Sequence, residues 1–211
     1  MRLLRNSDAL RSRWKNDGGW TTVLASDPPL DIENASQGQF RWRVSIAEIE
    51  QDGAFSIFPG VDRELLLLAG KGIELDFSGD GTLTLQQRFQ SARFRGEDDV
   101  YCRLLAGPTQ DFNVMARRDV QAQTMARPLN GCMVIFAEHG SEWLIHQLAG
   151  SASLRDADSQ LFLQRGESVY IDAREGSRAR MQLEGSGEVI LIRFQSADAA
   201  APAAGLRLCV D

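Results

Sequence analysis

Two arginines stand where a guanidinium could recognise a carboxylate, the bidentate chemistry to which its planar fork is suited. Arg43 lies in Phe40-Arg41-Trp42-Arg43-Val44-Ser45-Ile46-Ala47, where apolar and polar residues alternate with the period of a strand. Phe40, Trp42, Val44 and Ile46 make a core face. Arg41, Arg43, Ser45 and Ala47 make the other, which suits either a solvated surface or the wall of a polar cavity. Arg41 reads as solvated and Trp42 as core. Arg63 follows Pro59-Gly60, and it could bind a carboxylate, pair with Asp62 or Glu64, or clamp a carbonyl.

Other residues offer complementary groups. Trp14-Lys15-Asn16-Asp17-Gly18-Gly19 combines an aromatic plate, a cation, an amide and pliant backbone. N–H groups beside glycines can cradle an anion, with Lys15 as the counter-charge. The blander alternative is a surface turn with Trp14 anchored in the core. Asp111 and Asn113 alternate with Phe112 and Val114, so both face one way with Met115. Inside a barrel they supply an acceptor and an amide; outside, they are ordinary strand surface. Glu48 and Asp111 are the catalytic candidates, because burial would raise a carboxyl pKa towards that of a general base. His139 and His146 are the only histidines, and His146 shares its strand face with Leu144 and Leu148, as a core or rim residue does. No D-x-D loop accompanies them, so neither a metal nor any other cofactor is expected. There is no G-x-S-x-G, P-loop or dinucleotide fingerprint.

The elements that must carry these groups are strands. From Phe40 onward, short apolar runs recur every 8–12 residues between glycine-containing turns, among them Gly70-Lys71-Gly72, Asn130-Gly131 and Gly185-Ser186-Gly187. No amphipathic helix of normal length appears, and the pattern predicts an all-β chain. Some fourteen strands exceed what one twisted sheet holds and favour two packed β-sandwich units. Gly96-Glu97-Asp98-Asp99-Val100-Tyr101 and Gly166-Glu167-Ser168-Val169-Tyr170 echo one another and suggest duplication. Residues 197–205 read as mobile, with 206–210 docking back as an edge strand.

Composition narrows the partners. The 211 residues carry 23 Lys+Arg against 29 Asp+Glu, a net charge of −6 that disfavours nucleic acid and anionic membranes. Three scattered cysteines without a C-x-x-C, and no apolar signal or membrane span, make the cytoplasm the expected location. Exposed edge strands make a homodimer conceivable.

Four blocks in order, Trp14-Lys15-Asn16-x-Gly18-Gly19, Trp42–Ala47, Phe55-Ser56-x-Phe58-Pro59-Gly60-x-Asp62-Arg63 and Gly107-Pro108-Thr109-x-Asp111–Met115, resemble the HutD/Ves family. The resemblance implies two cupin-like barrels (a bicupin), with expected bounds 1–125 and 126–211. For HutD-type members it also implies a regulatory or flux-limiting part in histidine utilisation. Asp17 stands where the family usually has a third consecutive glycine; Asp tolerates the left-handed region better than most residues. With the resemblance, the leading expectation is a metal-free protein that binds a small carboxylate metabolite, such as urocanate or N-formylglutamate. Its site would comprise Trp14, Lys15, Asn16, Arg43, Ser45, Arg63, Asp111 and Asn113. The alternatives are a metal-independent isomerase or hydrolase using an Asp/Glu–Arg pair, and a protein-interaction module.

Overall fold

The computed structural model describes residues 1–30, 39–175, 179–197 and 207–208. The chain is almost wholly β. In order come β1 (Arg2–Leu4), a single 3-10 turn at Asn6–Asp8, β2 (Leu10–Arg13), β3 (Gly19–Asp27), β4 (Trp42–Ile49), β5 (Gly53–Ala54), β6 (Val61–Ala69) and β7 (Ile73–Phe77). There follow β8 (Gly81–Leu85), β9 (Ser91–Arg95), β10 (Val100–Leu104), β11 (Thr109–Arg117), β12 (Val120–Ala137) and β13 (Ser141–Arg155). Last are β14 (Gln160–Gln164), β15 (Ser168–Ala173), β16 (Ala179–Ser196) and β17 (Arg207–Leu208).

These strands form two compact units. The N-terminal unit is Ala9–Arg118, and the C-terminal unit is Asp119 onward together with Met1–Asp8. The expected boundary at 125/126 falls inside β12, which runs unbroken from Val120. The first residues join the C-terminal unit because β1 completes the free edge of β15, Arg2 opposite Tyr170 and Leu4 opposite Ser168.

The N-terminal unit has a six-stranded sheet, β2-β3-β4-β11-β6-β9, and a four-stranded one, β5-β10-β7-β8. Between them lies a core of Ile49, Leu65, Leu67, Ile73, Leu75, Leu85, Ala92, Val100 and Cys102. In the C-terminal unit the sheet order is β1-β15-β13-β16-β12-β17, with β14 on β13. Its core includes Met133, Ile135, Trp143, Ile145, Leu154, Val169, Ile171, Leu183, Val189 and Leu191.

The same pairing scheme recurs in both units. β11 lies between β4 and β6, and β10 between β5 and β7. In the C-terminal unit β16 alone does both jobs, pairing along its length with β12 and β13. The sequence pattern predicts turns at Asn130-Gly131 and Gly185-Ser186-Gly187. Instead these are bends within continuous strands, Gly131 facing Gly185 and Gly150 facing Gly187. A Cβ at Gly187 would come within 1.9 Å of the Ala149 carbonyl oxygen. Glycine at such a corner serves close backbone approach, not chain reversal. The Gly-Glu echo joins strands that are not equivalent: β15 flanks β13 as β9 flanks β6, whereas β10 lies in the other sheet. Of the expected edge strand at 206–210, Arg207–Leu208 are described and form β17, beside Met133 and Val134; residues 198–206 and 209–211 lie outside those described.

Candidate functional site

Cross-strand register decides which side chains share the inner wall of the N-terminal unit. On β11, Met115 is opposite Arg43 of β4 and Arg63 of β6, and Arg63 is opposite Phe94 of β9. One row across four strands therefore reads Arg43–Met115–Arg63–Phe94. The next is Ser45–Asn113–Leu65–Ala92, and beyond it lies Ala47–Asp111–Leu67. Directly opposed residues lie on one face of a sheet, and Leu65, Leu67 and Ala92 belong to the inner core. The polar face of the Arg43 strand is thus the inner face of the sheet, not surface.

Burial confirms this. Arg43 is 6% exposed, Arg63 7%, Asn113 5%, Ser45 2% and Asp111 0%. The Arg63 guanidinium lies over the rings of Phe94 at 4.8 Å, Phe55 at 5.0 Å and Phe58 at 5.9 Å. It donates through Nη1 to the Ser56 carbonyl and through Nη2 to Asn113 Oδ1, each at 3.3 Å, while its Nε meets no acceptor. The Arg43 guanidinium lies 5.0 Å from the rings of both Phe40 and Phe58, which are themselves 6.2 Å apart, and donates to Met115 Sδ at 3.1 Å. Neither sequence neighbour serves Arg63: Glu64 pairs with Arg93 and Asp62 with Arg118.

Burying one guanidinium costs several kcal/mol, roughly, and each desolvated ring contact returns about 2 kcal/mol. Burial pulls each pKa down to about 10, and for Arg63 the Arg43 charge adds to the fall while Asp111 opposes it. Both arginines therefore stay protonated at neutral pH. Asp111 is the balancing acid. Burial raises its carboxyl to about 7, against the opposing pull of Arg63 and of the Asn113 amide, which donates to its Oδ1. Its Oδ2 has no partner. Near neutrality Asp111 is therefore partly protonated beside a charged Arg63 in a nearly dry wall.

Other expected site residues lie apart from this cluster. Trp14 packs on the edge of the N-terminal core, its Nε1 donating to Thr21 Oγ1 at 2.8 Å. Lys15 is exposed. Asn16 is exposed and accepts from the Gly18 N–H at 3.1 Å, forming the turn itself. The Asp17 N–H is taken by the Trp14 carbonyl, so these donors do not make an anion cradle. Asp17 adopts φ 55, in the left-handed region. The glycine at 19 is explained by packing, since its Cβ would meet the Glu48 carbonyl oxygen at 2.2 Å.

Glu48 points away from the arginines. It alternates with Ala47 and Ile49, is 37% exposed, and pairs with Arg11 at 3.1 Å. Arg41, read as solvated, is instead ion-paired with Asp27. His146 is 1% exposed with Nδ1 2.9 Å from Ser168 Oγ, and burial lowers its pKa to about 4. Among the described residues no three His, Cys, Asp or Glu side chains cluster as metal ligands do. No helix among them is long and apolar enough to cross a membrane. Sequence reasoning did not assign the rings of Phe40, Phe55, Phe58 and Phe94 to the site; the placement of Phe94 depends on a strand register that no local pattern reveals.

Fold and site together define a cupin-like, all-β protein with two buried guanidinium groups lining one barrel. The chain belongs to the HutD family, whose profile matches residues 6–191. It is 38% identical over 115 residues to an uncharacterized 21.2 kDa protein in the hutC 3' region of Pseudomonas putida, covering 54% of this chain and 57% of that protein. It is 33% identical over 144 residues to protein Ves of Citrobacter koseri, covering 68% of this chain and 70% of that one. Among solved structures, HutD from Pseudomonas fluorescens SBW25 superposes with a TM-score of 0.71 at 26% identity, covering 92% of this chain and 98% of that one. A conserved protein of unknown function from Pseudomonas aeruginosa gives 0.79 at 24% identity, covering 92% and 97%. A Cupin 2 conserved barrel domain protein from Leptotrichia buccalis, at 9% identity, a TM-score of 0.50 and coverage of 83% and 88%, shares the fold alone.

Proposed function

We propose that this protein is a two-cupin receptor for a small carboxylate, held between Arg43 and Arg63 in the N-terminal barrel, and that it serves histidine utilisation. The observation that carries the reading is Arg63, 7% exposed, ringed by aromatics and, among the described residues, without a carboxylate in ion-pair contact. A ligand carboxylate would supply a counter-charge to Arg63 and would face Arg43, whose strand lies two positions away, about 10 Å. Asn113 and Ser45, in the adjoining row, would meet the ligand's other polar atoms. Family membership and the hutC-region relative make the acids of histidine degradation the first ligands to try, urocanate and N-formylglutamate among them. Lys15 lies outside this site.

Isothermal titration with each acid tests the reading. Wild-type protein should bind one of them saturably, and Arg63→Met, which keeps the side chain's bulk without its charge, should abolish binding while remaining folded. Unchanged affinity in that variant would remove Arg63 from the site.

One observation favours a second reading, an enzyme. Asp111, raised to about 7 beside Arg63, is suited to move a proton at neutral pH. Turnover of a bound acid that is lost in Asp111→Asn would establish catalysis; binding without turnover would leave the receptor.

A further inference from the structure

The C-terminal unit holds two buried donors that none of the chemistry above uses. Trp143 of β13 and Arg193 of β16 are directly opposite one another, 6% and 5% exposed. Among the described residues, Trp143 Nε1 and Arg193 Nε both lack an acceptor. An indole N–H and a guanidinium N–H can only donate, so neither satisfies the other. Such orphaned donors cost on the order of 1–3 kcal/mol each.

Their place in the fold is not arbitrary. β6 and β11 slip register between Gln110 and Asp111; β13 and β16 slip between Gln147 and Ala149. Counting four residues from each slip brings Met115 into correspondence with Arg193, and Arg63 with Trp143. The row Phe94–Arg63–Met115–Arg43 thus corresponds to Ile171–Trp143–Arg193–Gln123. Each unit has a buried cation at the same level of its inner wall, displaced by one strand. In the C-terminal unit the row ends at Gln123, which is exposed, as are its same-face neighbours Gln121 and Met125. Solvent therefore reaches the end of the row.

We propose that the C-terminal unit carries a second carboxylate site, in which one ligand oxygen accepts from Trp143 Nε1 and the other from Arg193 Nε. Two donors on directly opposed residues, one of them charged, call for a ligand with two acceptor oxygens and negative charge. The carboxylate already near Arg193, that of Glu138, is 3.4 Å from Nη2. That is longer than the 2.7–2.9 Å of a good charge-assisted bond and leaves Nε open. Glu138 competes electrostatically with the ligand, which makes this the weaker of the two sites.

The chain has four tryptophans, so its indole N–H signals can be followed individually by 15N NMR, with Trp143 assigned from Trp143→Phe. The probe is sodium acetate, titrated against sodium chloride at matched ionic strength. The Trp143 indole proton should move downfield and saturate with acetate and stay still with chloride. Saturation should be lost in Arg193→Gln, reached at lower acetate in Glu138→Gln, and unaffected by Arg63→Met, so that failure of the N-terminal site would not disturb the result. A Trp143 signal that does not move, that moves linearly without saturating, or that still saturates in a folded Arg193→Gln would overturn the proposal. Water would then be what satisfies these donors.

Discussion

At the scale of single residues Arg63 and Asp111 carry the chemistry. Both are buried on one inner face, and burial pushes Asp111 towards neutrality while the Arg63 charge opposes it. This has a signed consequence for stability. An unfolded aspartate titrates near about 3.9, whereas Asp111 titrates at about 7 in the folded protein. Between these values the folded state holds a proton that the unfolded state has released. Its contribution to stability is therefore present at low pH, falls as pH rises through this window, and is level above it. Asp111→Asn should remove that fall. Urea unfolding at about pH 5 and pH 8 should show the variant gaining on wild type by about 2 kcal/mol between the two; parallel losses would mean that Asp111 keeps an ordinary pKa. Ligand affinity should follow the same titration, tightening as Asp111 becomes neutral.

At the scale of elements the two units solve one geometric problem differently. In the N-terminal unit the chain breaks between β4 and β5, β6 and β7, and β10 and β11; in the C-terminal unit β12, β13 and β16 bend at glycines instead. Gly187 has φ +112 and a carbonyl oxygen where its Cβ would be, whereas Gly79, at φ +103, has open space around it. Gly187→Ala should therefore cost about 3 kcal/mol or more, and Gly79→Ala about 1 kcal/mol, when thermal or urea unfolding is compared. Equal costs would show that the corner relaxes easily. This difference also explains what local sequence could not convey. Asn130-Gly131 and Gly185-Ser186-Gly187 have turn composition, and only their pairing across strands shows them to be corners. The alternation around Arg43 was plainly a strand, yet a period of two names two faces without saying which is dry. Both are: Trp42 and Val44 are as buried as Arg43 and Ser45.

At the scale of the whole molecule, the all-β class and most strand positions were legible because apolar runs and glycine punctuation are local signals. The exchange of Met1–Asp8 into the C-terminal unit was not, since β1 is three residues long and its partner lies more than 160 residues away. The site was legible in part. Arg43, Ser45, Arg63, Asp111 and Asn113 converge, whereas Lys15 and Asn16, adjacent to one another in a promising loop, face outward and make a turn. Their residue types suited anion binding, but which way a loop side chain points is set by tertiary packing. The central claim is that an acidic protein conceals a cationic hollow meant for a small acid. Crystals soaked with urocanate or N-formylglutamate test it most directly. The account predicts a carboxylate bridging Arg43 and Arg63, in contact with Asn113; a hollow filled by the Phe40, Phe55, Phe58 and Phe94 rings, with the acid absent or bound elsewhere, would contradict it.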